Sequence, residues 1–374
     1  MKIAWFTDTW LPARDGVVNS LLMFKKELEK RGHDIFIFAP GERNDEKGNI
    51  FYYKSRPLRA YKNYRVSSLP SLFSRRTIKI VNKIKPDVIH SHSPGIIGIH
   101  AVIASYKLKI PLFFTYHTFV DDSVYLFFRK ERTQEIVRKL VYKWLRWYFR
   151  RCSCIIAPSK YTAKILNEKI MEREIKVLPT GIDIEKFSNG DGSEIKKRYD
   201  GKKIILHVGR VVKEKNLDLL IEAAPYILEK MEAVFIIVGE GPAKEELEEK
   251  VRRMKLQEYF VFTGFVKDED LPNYYKAADV FVFPSVYETQ GIVAFEAMAA
   301  GVPVAASTAK ALPDFIKDGE NGCLFNPYNA RECAEKIVKV MENKEIVRKA
   351  SEFVKEYSIE RMTDKLLDIY ESKM

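Results

Sequence analysis

Short apolar runs followed by stretches of helical spacing recur along the chain. Ile3 to Thr7 predicts a buried strand, Ser20 to Lys30 a helix stopped at Gly32, and Asp34 to Phe38 a second strand. Further strands are predicted at Val88–His90, Leu112–Thr115 and Ile155–Ala157, each ahead of a helical stretch. After Leu178-Pro179-Thr180-Gly181 a second series begins, with strands at Ile204–Val208, Val234–Val238, Val261–Thr263, Val280–Phe283 and Val302–Ala306. Strands alternating with helices give parallel sheets with crossover connections. A chain of 374 residues with 46% hydrophobic content exceeds what one core takes up. The expectation is an α/β protein of two doubly wound, Rossmann-like domains, 1–180 and 181–356.

Ligands of such sheets bind beyond the carboxyl ends of the strands. The chemistry-bearing residues fall there: His117 follows Thr115, Arg210 follows Val208, Gly264 follows Thr263, and Glu288 lies a loop after Phe283. The segment Val280 to Pro303, VFVFPSVYETQGIVAFEAMAAGVP, is the most informative. An apolar strand breaks at Pro284, passes a loop carrying Glu288, and resumes at Gly291 as an alanine-rich helix containing Glu296. The helix start offers unpaired N–H groups and the positive end of its dipole, which favours an anion between two acids that cannot bind it themselves. Arg210 and Lys215 in LHVGRVVKEKN supply a guanidinium fork and a point charge, a pair suited to a diphosphate. Taken alone, that pair fits a solvated basic loop equally well.

Two glutamates separated by seven residues, then a small-residue helix and G-x-P, resemble the signature of the retaining GT-B glycosyltransferases of the large family four. That resemblance implies two Rossmann-like domains facing across a cleft, with the last helix, from about 357 to 374, returning to the first domain. It implies a nucleotide-diphosphate sugar as donor substrate, with no cofactor and no metal. Arg210 and Lys215 would hold the diphosphate and stabilise its departure, Glu288 the sugar hydroxyls and Glu296 the ribose. Thr289, Gln290, Gly291 and Ile292 would line sugar and phosphates, and Gly264 with Phe265 in TGFV the nucleobase. His117, in FTYHTF, matches the family's active-site histidine, and Gly16 follows Asp15 where the family commonly has two glycines. The chain also departs from the family at Lys310-Ala311-Leu312-Pro313-Asp314, where many relatives have Gly-Gly-x-Pro-Glu. His90 and His92 alternate toward one face, but no acid or cysteine joins them at ligand spacing, so a structural role is expected.

Charge divides the chain. Up to Leu178 there are 34 Lys and Arg against 16 Asp and Glu, and beyond it 29 against 35, which together make the net +12. A basic first half asks for an anionic partner. Arg56, Arg59, Lys62, Arg65, Arg75 and Arg76 interleave with Tyr52, Tyr53, Tyr61, Tyr64 and Phe73. Arg138 to Arg151 forms a helix whose apolar stripe at 137, 140, 141, 144, 145 and 148 is expected to face the core, leaving basic residues and Trp147 outside. An anionic membrane surface is the expected partner; nucleic acid is not, since no recognised motif accompanies the charge. No apolar run reaches membrane-span length, the first residues read as a strand, and the four cysteines form neither a disulfide framework nor a zinc set, so a cytoplasmic protein held at the membrane surface is expected.

The Glu-Thr-Gln-Gly loop, His-Thr-Phe and the pair Asp121 and Asp122 resemble the diacylglycerol glucosyltransferase branch. Together these imply transfer of a hexose, from UDP-glucose, to a lipid or lipid-linked hydroxyl. A soluble sugar or glycan acceptor, and a nucleotide-sugar-binding protein without turnover, are the alternatives. Oligomeric state is not legible.

Overall fold

The computed structural model describes residues 1–13, 15–57, 64–69, 71, 75–117 and 131–374. The chain divides into two compact units, Met1–Gly181 with Ile359–Met374, and Ile182–Ser358.

In the first unit the described residues form a nine-stranded sheet of β1 (Lys2–Phe6), β2 (Asp34–Gly41), β3 (Asp45–Lys47), β4 (Ile50–Pro57), β5 (Arg65–Ser67), β6 (Val88–Ser91), β7 (Leu112–Thr115), β8 (Cys154–Ala157) and β9 (Lys176–Val177). The order is β3-β4-β2-β1-β6-β7-β8-β9, with β5 on β4. All pairings are parallel except β3 with β4 and β4 with β5. Strands β6, β7 and β8 are buried at every position, as a sheet covered on both faces requires. The helix Gly16–Lys30 starts before the predicted Ser20, because the Asp15 carboxylate caps it by accepting from Val18 N–H at 2.9 Å. The last helix, Ile359–Glu371, packs on Gly16–Lys30 and buries Tyr370 beneath Trp5.

The helix Glu131–Phe149 corrects the expectation of a core-facing stripe. Leu145, Tyr148 and Phe149 are buried, but Leu140 is 61% exposed, with Ile136 one turn earlier at 56%. Among the described residues the fully buried positions of this helix all lie in its C-terminal half. In the interleaved basic–aromatic segment Arg56 and Arg75 are exposed, whereas Arg76 donates to the carbonyls of Tyr52 and Asp45 at 2.7 and 2.9 Å, Arg65 to Ser55, and Tyr53 is buried. Arg65, Arg76 and Tyr53 thus brace β4. Arg59, Lys62, Tyr61, Phe73, Asp121 and Asp122 lie outside the described residues.

The second unit holds β10 (Lys203–Val208), β11 (Ala233–Val238), β12 (Phe260–Gly264), β13 (Val280–Phe283), β14 (Val304–Ser307) and β15 (Cys323–Phe325). They form an all-parallel sheet in the order β12-β11-β10-β13-β14-β15. Strand β14 begins after Pro303, which has no N–H for the ladder and gives only its carbonyl, to Phe281 N–H at 2.9 Å. Ile205, Leu220, Ile237, Val282 and Ile337 centre the core.

Candidate functional site

The order of strand succession in the second sheet reverses between the parallel neighbours β10 and β13, the switch point at which such folds bind ligands. The turn after β10 carries Gly209, Arg210 and the short helix Lys213–Lys215. It is braced by the turn after β11: Val211 N–H donates to the Glu240 carbonyl at 2.9 Å, and a Cβ on Gly239 (φ +136°) would lie 1.9 Å from the Gly209 oxygen. No side chain fits there, so Gly239 is required by this contact. Two further bonds tie the turn to the loop after β13, both into the Glu214 carbonyl: from Val286 N–H at 2.9 Å and from the buried Ser285 hydroxyl at 3.0 Å. Asn216 completes the stitching from a left-handed conformation, its amide donating to the carbonyls of Pro284 and Pro327.

These bonds set Lys215 beside Glu288, and the two form an ion pair with both side chains largely covered. The Lys215 ammonium also lies 5.1 Å from the Phe283 ring centroid. Arg210 is exposed and makes no ion pair among the described residues. The helix Ile292–Ala299 then starts at Gly291, which provides no side-chain cap. Asn329 and Asn343 cap the helices Ala330–Met341 and Lys344–Lys355 of the same unit, while several of its other helices, like this one, begin without a side-chain cap. Gly291 sits at φ +92°, where a Cβ would lie 2.8 Å from Phe283 Cε1 and 2.9 Å from Leu312 Cδ2. The first N–H groups of this helix are therefore unmasked beside Lys215, an arrangement that takes an anion. Gln290 is buried in the same loop, and Thr289 and Ile292 are half-buried.

Glu296, one turn into the helix, accepts from the buried Tyr275 hydroxyl at 2.6 Å. Removal from water pushes its carboxyl up to about 7, opposed by the Tyr275 bond and by Lys186. Its charge is thus set near neutrality. If the carboxylate form is what accepts from a vicinal diol, affinity for a ribose-bearing ligand falls toward tenfold per unit as pH drops below about 7. Calorimetric titration from pH 5 to 8 checks this, and Glu296→Gln is expected to abolish the dependence. Gly264 (φ +72°) lies against Glu240, and Phe265 next to it is 63% exposed. At the departure from the family pattern, Leu312 packs on Gly291 and Ala311 N–H donates to the Glu288 carbonyl at 3.4 Å. The segment thus supports the Glu288 loop.

In the first unit the strand order reverses between the parallel neighbours β1 and β6. Asp8, just after β1, accepts from Ile97 N–H at 2.9 Å, from Gly98 N–H at 3.4 Å and from Ser93 Oγ at 2.9 Å. Burial raises its pKa and these bonds lower it. The N-terminus of the helix Ile96–Leu108 is thereby filled by the protein's own carboxylate. Gly16 is exposed at the start of its helix, with open space where a Cβ would stand. The Asp15 carboxylate in front of it is spent on its cap, which accounts for Asp where the family pattern has glycine. Asp15→Ala is expected to cost about 1 kcal/mol, and Asp15→Gly only a few tenths, in chemical denaturation.

His90, His92 and His117 meet at the carboxyl ends of β6 and β7. Tyr370 accepts from Trp5 Nε1 at 3.2 Å and lies 2.6 Å from His90 Nδ1, while His90 Nε2 lies 2.7 Å from Thr115 Oγ1. Both ring nitrogens of His90 are committed to protein partners, a structural role. His92 Nδ1 lies 3.1 Å from His117 Nε2. Burial holds His117 down to about 4, so it is neutral at physiological pH. Asp8, Ser285, Asn216, Tyr275 and Tyr370 escaped the sequence reading. Of these only Asn216, an Asn directly after a charged turn and before an apolar helix, gave a local signal.

Residues 14–186 match the model of Glycosyltransferase Family 4, and residues 191–357 that of Glycosyl transferases group 1. The alpha-monoglucosyldiacylglycerol synthase of Streptococcus pneumoniae is 31% identical over 91% of this chain and 78% of its own length. The chain belongs to glycosyltransferase family 4. The enzyme of the same name from Acholeplasma laidlawii is 29% identical over 93% of this chain and 90% of its own length. Among solved structures, Anabaena HepE in complex with UDP superposes with a TM-score of 0.78 at 20% identity, covering 100% of both chains. The fold is GT-B, and the chain is a glycosyltransferase.

Proposed function

We propose that this family 4 enzyme transfers glucose from UDP-glucose to diacylglycerol or a lipid-linked hydroxyl, with retention of configuration and without a metal. The observation that carries the reading is the Lys215–Glu288 pair beside the uncapped helix start at Gly291, on the switch point of a Rossmann-like sheet. In this reading Arg210, Lys215 and the N–H groups at Gly291 and Ile292 neutralise the diphosphate as its charge grows, the role a metal plays elsewhere. Glu288 accepts from sugar hydroxyls, Glu296 from the ribose, His117 meets the transferred sugar, and Phe265 and Gly264 border the base. The departing phosphate takes the acceptor's proton, so no separate base is needed. The two synthases whose names specify an alpha-linked glucosyl lipid support both acceptor and stereochemistry.

No described helix is long and apolar enough to cross a membrane. Peripheral attachment at the cytoplasmic face is proposed instead, through the helix Glu131–Phe149. Its exposed Ile136 and Leu140 alternate with Arg132, Lys139 and Lys143, and Arg151 stacks 4.0 Å over Trp147. Basic residues at an anionic surface contribute about 1 kcal/mol each, so Lys139→Glu with Lys143→Glu is expected to weaken vesicle binding at least thirtyfold.

The deciding assay is incubation with UDP-glucose and vesicles containing diacylglycerol and anionic lipid, with and without a chelator. UDP release that depends on diacylglycerol, an α-glucolipid by mass spectrometry and NMR, and indifference to the chelator are expected. Stoichiometric donor binding with no UDP released to lipid, sugar or glycan acceptors would contradict the reading.

A further inference from the structure

His207 lies on β10 with no exposure, stacked on the Phe281 ring at a centroid distance of 6.3 Å and tilted toward the Phe283 ring at 6.4 Å. Its Nδ1 is 3.0 Å from the Val282 carbonyl oxygen, which can only accept, so Nδ1 carries the proton. Burial pushes the ring down to about 4, opposed by the Val282 bond and aided by the Lys215 charge, so it is neutral at pH 7. Nε2 is therefore a lone pair, and it is buried with no hydrogen-bond partner among the described residues. Buried polar atoms in this state are few in folded proteins, and each calls for a reason.

The lone pair borders the turn after β10. The position a Cβ would take on Gly209 is 3.4 Å from His207 Nε2 and 3.7 Å from Lys215 Cε, so the glycine leaves a small space between imidazole and lysine. A phosphate oxygen there would meet the lone pair with like polarity, whereas an ammonium complements it. The Lys215 ammonium has three N–H donors; it pairs with Glu288 and faces the Phe283 ring. Rotation about the Cδ–Cε bond carries Nζ round a fixed Cε, the atom that borders this space.

We infer that His207 is a positioning residue for Lys215: when a sugar nucleotide engages Glu288, Lys215 turns away from the carboxylate and donates to His207 Nε2, which holds its remaining N–H groups toward the diphosphate. Glu288 then exchanges a cation for sugar hydroxyls. Lys215 gains a neutral acceptor that leaves its charge to the phosphates. This role of His207 rests on the proposed binding of a nucleotide sugar at the turn.

The test uses the full chain labelled with ¹⁵N-histidine at pH 7, with His207 assigned by the signals missing in His207→Phe. Long-range ¹H–¹⁵N spectra of the free protein are expected to show an N–H at Nδ1 and a lone-pair nitrogen at Nε2. Saturation with UDP-glucose should move Nε2 into the hydrogen-bonded range without protonating it, and the movement should vanish in Lys215→Ala. An Nε2 signal that stays in place, or that gains a proton, overturns the proposal. In the UDP-glucose transfer assay His207→Phe, which keeps a ring and removes the acceptor, should lower kcat by about tenfold, the size of one hydrogen bond to a charged group, with a smaller change in donor KM. His207→Gln returns an acceptor to the place of Nε2 and should stay within about threefold of the wild type. In a Lys215→Ala background His207→Phe should cost less than about twofold, and in an Arg210→Ala background it should keep its full loss. A loss that persists without Lys215, or equal losses in the Phe and Gln variants, overturns the positioning role. Wild-type protein that binds no UDP-glucose would defeat the site and this role together, while binding that leaves Nε2 unmoved defeats the role alone.

Discussion

Lys215→Ala is expected to lower kcat by about a hundredfold to a thousandfold, the usual cost of removing one donor that stabilises developing charge. The loss should fall on kcat more than on donor KM. The ammonium meets a diphosphate whose charge grows as the glycosidic bond breaks, so its contribution is larger in the transition state than in the ground state. The variant also strands Glu288, the partner of Lys215, next to the position proposed for the sugar. Lys215→Arg keeps the charge but not the compact fit over Phe283, and an intermediate rate is expected. Steady-state kinetics of both variants with UDP-glucose check this. A Lys215→Ala enzyme with unchanged kcat and a raised KM would place the lysine in ground-state binding alone.

Gly291→Ala is expected to destabilise the second unit by about 2 to 4 kcal/mol, combining a left-handed backbone with overpacking. The methyl would press on Phe283 Cε1 at 2.8 Å and on Leu312 Cδ2 at 2.9 Å, and both side chains are packed in the core at 0% and 1% exposure. Relief requires moving the start of the helix Ile292–Ala299, the element proposed to face the phosphates. The variant should therefore lose UDP affinity along with thermal stability, a fall of about 5 °C or more for a domain of this size. Scanning calorimetry with and without UDP separates the two effects.

Much of this fold was legible because its strands are buried on both faces and read as unbroken apolar runs. Strand β11, buried at every position, is of that kind. The Glu288 to Glu296 block was legible because strand, loop acid, glycine and alanine-rich helix are contiguous. What stayed hidden depends on tertiary pairing. Ser285 and Glu214 are 71 positions apart, and Tyr370 and His90 are 280 apart, so no local spacing announces them. The stripe on Arg138 to Arg151 failed for a related reason: periodicity shows which residues share a face, but not how far along the helix the sheet extends. Asp15 shows the reverse case, a departure from a family pattern that one helix cap explains.

The central claim is that the turn after β10 and the helix start at Gly291 grip a nucleoside diphosphate. Calorimetric titration of UDP into wild type and into the Arg210→Ala, Lys215→Ala double variant tests it most directly. One site per chain in the wild type, weakened at least about a hundredfold in the double variant at a temperature where circular dichroism shows both proteins folded, is predicted. Equal UDP affinity in the two proteins would contradict it.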